Sequence, residues 1–251
     1  MAEKRIAEKI EHEGTELAES GKLLVARDRY VLVFALIMVS IALNAFLGDR
    51  IFGVAIVGIA LVLTMAVTLV TSESRRLTAW VAAAFGVVTL LAAILVAVAG
   101  VTLLARFAYK AGLLGITLVL GFVIGRRIVR HPVINLNTLA GAASIYLLFG
   151  LFFALAYSFL GGALSVIWHT AATPAGAFFA SARPTTPSDF LYFSYVTLTT
   201  VGYGDLTAST EFGRMLSVTE ALLGQLYLVT VVAVLVSNMG HHRGDTPETT
   251  R

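Results

Sequence analysis

Cysteine is missing from all 251 residues, which excludes a disulfide framework and a cysteine metal site and leaves the redox compartment unreadable. Charge is also scarce. Asp, Glu, Lys and Arg make up 13% of the chain against 58% hydrophobic residues, and the mean hydropathy of +0.87 lies far above that of a soluble domain. A bilayer is the expected solvent. No secretory leader is expected, because the first 29 residues, MAEKRIAEKIEHEGTELAESGKLLVARDR, mix charges and lack an early apolar core. The net charge of +3 comes from basic residues scattered at the ends of apolar runs. That pattern sets membrane topology and argues against a nucleic-acid partner.

What is present is a series of apolar runs: Tyr30–Leu47, Ile51–Thr71, Leu77–Leu104, Arg106–Gly125, Thr138–Leu160 and Phe212–Asn238. About 20 such residues cross the hydrocarbon as a helix. The expected fold class is therefore an all-α membrane protein with six transmembrane helices and a re-entrant segment between the fifth and sixth. The fourth run has a short, Gly-rich core, Ala111–Gly125, so Arg106 and Lys110 must snorkel or sit at the interface. With the N-terminus in the cytoplasm, only Arg50, Arg106, Lys110, Arg183 and Arg214 of the 18 Lys and Arg fall outside. The positive-inside rule thus predicts both termini cytoplasmic.

Between the fifth and sixth runs lies an outside segment, Gly161–Glu211, punctuated by GG, TPAG, RPTTP and VGYG. Within it, Asp189–Thr199 reads as a short helix, with Ser188 as N-cap and Asp189 at the positive end of the dipole. The helix leads into TLTTVGYGD, Thr197–Asp205. Irregular backbone of this kind is tolerated at membrane depth only where it is enclosed by protein or lines a wet cavity.

DFLYFSYVTLTTVGYGD followed by FGRMLSVTEALLGQLYLVTVVAVLV resembles the pore helix, filter and inner helix of the tetrameric potassium-channel superfamily, in its prokaryotic-type form. The resemblance covers Thr138–Asn238, and the intact TVGYG is its most specific part. It implies a passive K+ channel in a cell membrane, in which rings of backbone carbonyls replace the water around the ion. The implied K+ ligands are Thr200, Val201, Gly202 and Tyr203, with Gly204 at the outer mouth. Each ring needs four copies, so a homotetramer is implied, with membrane lipid around it, K+ as the permeant ion and no cofactor. To aim successive carbonyls at one axis, the backbone must alternate ordinary and left-handed conformations, and Gly202 and Gly204 take the second kind without a Cβ penalty. Val201 and Tyr203 should then point away from the axis.

By the same resemblance, Tyr192, Phe193, Thr199 and Asp205 support the filter. Tyr192 has either a hydrogen bond to Tyr203 or Asp205, or aromatic packing alone. Gly224 matches the inner-helix hinge and Gln225 the cavity below the filter. A mid-helix glycine costs about 1 kcal/mol against alanine, so bending or close packing is its expected reason. Two departures stand out. Val196 occupies the position where some members carry a glutamate, which removes an acid-pair brace to Asp205. The run Asp205-Leu-Thr-Ala-Ser-Thr lacks the proline that often follows, which leaves the outer-mouth geometry open. Glu220, expensive inside a span unless paired or protonated, is expected to brace the pore helix through Thr197 or Thr199, or else to be hydrated.

The expected organisation is a cytoplasmic N-terminal segment (1–29), a four-helix transmembrane region (30–130), a pore domain (131–240) and a short cytoplasmic tail (241–251). Six spans are also the plan of voltage-gated channels, whose fourth helix carries arginines at every third residue. The core AGLLGITLVLGFVIG has none, and Arg126, Arg127 and Arg130 cluster at its cytoplasmic end, so voltage dependence is expected to be weak. The tail after Asn238 is expected to be too short for a ligand-binding domain. His131, His169, His241 and His242 are either pH sensors or solvated. Ile6, Ile10, Leu17 and Leu24 suit an interfacial helix, and disorder is the alternative. Against the channel stand a non-selective cation channel, a secondary transporter, and an intramembrane enzyme. No internal repeat supports the transporter, and no HExxH, cysteine nucleophile or Ser/His pair supports the enzyme.

Overall fold

The computed structural model of the chain describes residues 29–48, 50–71, 76–98, 103–130, 136–167, 178–180, 185–234 and 237. The expectations for residues 1–28, for the four histidines named above and for the tail 241–251 lie outside the described residues. Seven α-helices are present among the described residues: α1 (Arg29–Leu47), α2 (Ile51–Thr71), α3 (Arg76–Val98), α4 (Leu103–Arg130), α5 (Leu136–Ile167), α6 (Pro187–Leu198) and α7 (Glu211–Tyr227). Helices α1 to α5, and α7 continued helically to Val232, are long and apolar enough to cross a membrane. The fold is thus all-α, as the runs predict, and an isolated antiparallel bridge between Phe179 and Ala208 is the only extended pairing among the described residues.

Three boundaries differ from the sequence reading. The apolar run Leu77–Leu104 is divided, since α3 ends at Val98 and Leu103 already belongs to α4. At 28 residues α4 exceeds what the hydrocarbon needs, so its charged ends reach the interfaces. Lys110 finds its own solution: its Nζ donates to the Ser158 carbonyl of α5 at 2.7 Å. The GG pair, expected as a turn, lies inside α5, which continues to Ile167. A Cβ at Gly161 would come 3.2 Å from both Phe178 and Phe190, so the glycine admits their close approach.

Helices α1 to α4 pack against one another, and both α1 and α4 pack along α5. Small residues let the backbones approach. A Cβ on Gly112 would come 2.2 Å from Thr89 Oγ1, and one on Gly115 2.2 Å from the Phe85 ring. Buried hydroxyls return to their own helices, with Ser40 bonding Leu36 O, Thr64 bonding Ala60 O and Thr89 bonding Phe85 O. That satisfies polar atoms where no water is available. The Tyr109 hydroxyl ties α4 to the Val54 carbonyl of α2 at 2.7 Å. Arg126 and Arg127 lie at the end of α4 over the rings of Phe122 and Tyr30, at 5.9 and 4.9 Å. They are anchored by aromatic faces, and no charged residue occupies the Ala111–Gly125 core.

Candidate functional site

The short helix α6 starts from a capping box. Thr186 is the N-cap: its backbone N–H donates to Asp189 Oδ2 at 2.9 Å, its hydroxyl accepts from the Asp189 N–H, and Pro187 occupies the first turn. The expected cap, Ser188, lies two residues too late and hydrogen-bonds the Thr186 hydroxyl at 2.8 Å. The signal was present in the sequence as Thr-Pro-Ser-Asp, a Thr with an acid three residues on.

Helix α6 is fastened to α5 along its length. The Ser194 hydroxyl lies 2.6 Å from Gly150 O, and the Tyr195 hydroxyl donates to Leu147 O at 2.7 Å. The Tyr195 ring fills the space a Gly150 side chain would need, since a Cβ there would be 2.5 Å from Cε1. At the far end the Tyr146 hydroxyl donates to Leu198 O at 3.2 Å, satisfying a terminal carbonyl. On another face Phe190 and Phe193 join Tyr157, Phe178 and Phe179 in an aromatic cluster. Phe193 therefore supports the helix from behind.

Beyond α6 the chain turns sharply. Thr199, the C-cap, donates its hydroxyl to Tyr195 O at 2.6 Å, and the amides of Val201 and Gly202 both turn back to the Val196 carbonyl at 3.0 and 3.3 Å. Among the described residues the positive φ values fall at Thr200 (60°), Gly202 (56°) and Gly204 (80°). The expected alternation is thus present and begins one step earlier. A β-branched residue in that region is an outlier costing about 1–3 kcal/mol, and it persists where the surroundings over-determine it. Here Gln225 Nε2 of α7 donates to Thr200 Oγ1 at 3.1 Å, and that hydroxyl donates to Thr199 O at 2.7 Å. Among the described residues, no donor reaches the carbonyls of Thr200, Val201, Gly202 or Tyr203.

Tyr203 is 71% exposed on this single chain and stacks on Tyr192, with ring centroids 6.4 Å apart and planes 5° from parallel. Of the alternatives considered for Tyr192, aromatic packing, here on Tyr203, is the one the structure shows. The run after Asp205 is held without a proline. Ala180 N–H donates to Thr207 O and Ser209 N–H to Phe178 O, both at 2.9 Å, while Arg214 Nε donates to Ala208 O at 3.0 Å. Nothing in the sequence singled out Phe178 and Phe179 as partners of this segment.

Thr210 caps α7 by accepting from the Gly213 N–H at 3.1 Å. Glu220 is fully buried, and its partners are Ser194 at Oε1 and the Tyr157 hydroxyl, which donates to Oε2 at 2.6 Å. The brace to the pore helix exists, but through Ser194 and not through Thr197 or Thr199. The Thr199 hydroxyl turns back to Tyr195 O instead. Gly224 is packed tightly, with Leu198 Cδ1 and O only 2.7 and 2.8 Å from where a Cβ would stand. The Tyr227 hydroxyl donates to Ala142 O at 2.8 Å, and a π-helical turn, Leu228–Val232, follows at once.

An ion-channel family model matches residues 141–240. Two pore potassium channel c of Oryza sativa subsp. japonica is 40% identical over 86 residues, which is 34% of this chain and 18% of that protein. Potassium voltage-gated channel protein shk-1 of Caenorhabditis elegans is 42% identical over 55 residues, 22% of this chain and 10% of that protein. The chain therefore covers less than a fifth of the length of either relative. No solved structure matches.

Proposed function

We propose that this chain, which belongs to the potassium-channel superfamily through its residues 141–240, conducts K+ passively across a cell membrane as a homotetramer. The family is one of channels and not of enzymes, and the six apolar helices make the chain a multi-pass membrane protein. Ion choice, copy number and residue roles are the inferred part.

The observation that carries the reading is the every-other positive φ at Thr200, Gly202 and Gly204. An alternation of this kind turns successive carbonyls toward one side, the geometry needed to replace a hydration shell. Thr200, Val201, Gly202 and Tyr203 are the proposed ligands, with Gly204 at the outer mouth. One chain carries one such segment, and Val201 and Tyr203 are 51% and 71% exposed on it. Three further copies would cover these side chains and the outward apolar residues of α7, Phe212, Met215, Leu222 and Leu226, and would close the ring. Residues 131–240 form the pore domain in this reading, 30–130 a non-sensing four-helix region, and both termini lie in the cytoplasm of a prokaryotic-type cell. Anchored arginines on α4 favour conduction without strong voltage sensing.

The test is ion flux from liposomes holding the purified protein under opposed K+ and Na+ gradients, with Ba2+ as the blocking control. K+ flux well above Na+ flux, blocked by Ba2+, is expected. Equal permeability would replace the reading with a non-selective cation channel, and absence of flux would leave the chain as a partner subunit of another pore.

A further inference from the structure

Glu220 is the carboxylate that the conduction chemistry leaves unused, and it is fully buried in a span. Its partners are the Tyr157 hydroxyl of α5 and the Ser194 hydroxyl of α6, while the hydroxyls of Tyr146, Tyr195 and Ser217 are bound to the carbonyls of Leu198, Leu147 and Gly213. Among the described residues no Lys or Arg bonds to it, so no cation offsets a charge there. An unpaired carboxylate in such surroundings is far more costly than a neutral acid.

The hydrogen inventory gives the same answer independently. Ser194 Oγ carries one hydrogen and lies within bonding distance of two oxygens, Gly150 O and Glu220 Oε1. The carbonyl can only accept, so the serine hydrogen serves Gly150. A neutral carboxyl at Glu220 supplies the hydrogen for the contact with Oε1, which a carboxylate would leave to compete for the same serine hydrogen. On the other side the Tyr157 hydroxyl donates to Oε2. One neutral carboxylic acid, donating once and accepting once, satisfies every atom of the set.

We propose that Glu220 is a positioning residue that fixes helix α6 behind the conducting segment, and that it does so as a neutral acid giving its proton to Ser194 while accepting from Tyr157. The triad joins three elements at one point, α5 through Tyr157, α6 through Ser194 and α7 through Glu220. It lies behind the helix whose Val196 carbonyl receives the amides of Val201 and Gly202. A shift of α6 is therefore a shift of the ligands.

This inference rests on the channel reading, and the experiment separates the two. Glu220→Gln keeps a donor for Ser194 and an acceptor for Tyr157, whereas Glu220→Ala, Ser194→Ala and Tyr157→Phe each remove part of the set. In K+/Na+ flux, E220Q should stay within about twofold of the native permeability ratio, and E220A and S194A should lower it by about tenfold. If E220A does not assemble, Y157F, which keeps the ring, carries the comparison. Infrared difference spectra of native protein against E220Q should show loss of a protonated carboxyl band. That readout does not depend on conduction, and neither does faster amide exchange over Ser194–Leu198 in E220A or Y157F. A difference spectrum containing only carboxylate, or a native permeability ratio and native exchange in E220A and Y157F, would overturn the proposal. Native protein that conducts no K+ would overturn the channel reading alone, with exchange and infrared still deciding the brace.

Discussion

Gln225 on the inner helix donates through Nε2 to the hydroxyl of Thr200, 3.1 Å away and 25 residues earlier in the chain. The same hydroxyl passes its own hydrogen to the Thr199 carbonyl. Helix α7 thus orients the first residue of the proposed conducting segment, whose φ of 60° is unfavourable for threonine. Replacing Gln225 with Ala removes one exposed hydrogen bond, worth about 1 kcal/mol. Ba2+ block should shift about fivefold, on the scale of about 1.4 kcal/mol per tenfold, with K+ preference over Na+ retained. Titration of block in liposome flux checks this, and an unchanged block would mean that Gln225 does not act on the ion through Thr200.

Gly202→Ala and Gly204→Ala should each abolish K+ preference or conduction. Nothing lies within 4 Å of a Cβ built on either residue, so the penalty on the single chain is conformational and not steric. Holding alanine at φ near 56° or 80° costs about 1–2 kcal/mol in every protomer of the proposed ring. Reversal potentials under K+ on one side and Na+ on the other provide the measurement, and a native reversal potential in either variant would count against the carbonyl ring.

Gly224→Ala distinguishes close packing from bending. The added carbon would come 2.7 and 2.8 Å from Leu198 Cδ1 and O, at the end of α6. Overpacking of this kind costs about 1–3 kcal/mol, so the assembled protein should lose its quaternary state at lower temperature, read by size-exclusion after stepwise heating. If the glycine served bending alone, assembly would stay as stable as the native protein and only open probability would change.

Neutralising Arg126 and Arg127 together with Gln should leave the steepness of the conductance–voltage relation unchanged. The two guanidiniums lie at the end of α4 on the rings of Phe122 and Tyr30, outside the uncharged core. Loss of the Arg127–Tyr30 contact should cost about 0.5–1 kcal/mol of stability. Planar-bilayer recordings would reveal a contradicting result as a flattened curve in the double variant.

Periodic and compositional features were legible from the chain alone. Six helices follow from apolar run length, and the left-handed glycines follow from the absence of a Cβ at Gly202 and Gly204. Helix ends were less legible, because a helix end is set by its capping partners. Thr186 and Ser188 are both good caps by type, and only the reciprocal bonds with Asp189 select Thr186. The continuation of α5 through Gly161 depends on Phe178 and Phe190 from a later segment.

The candidate site divides along the same line. Membrane residence, the helical class and the left-handed backbone at Gly202 and Gly204 were determined by the sequence itself, because burial in lipid and Cβ sterics act residue by residue, whereas the positive φ of Thr200 runs against those sterics and is held by its contact with Gln225. The partners of Glu220 lie 63 and 26 residues away, on different helices, and the strand pairing at Ala208 comes from Phe179 across the whole of α6. Those were decided only by the tertiary structure. A buried carboxyl must find hydrogen-bond partners wherever the packing brings them, and one helix carries no information about which neighbouring helix faces it.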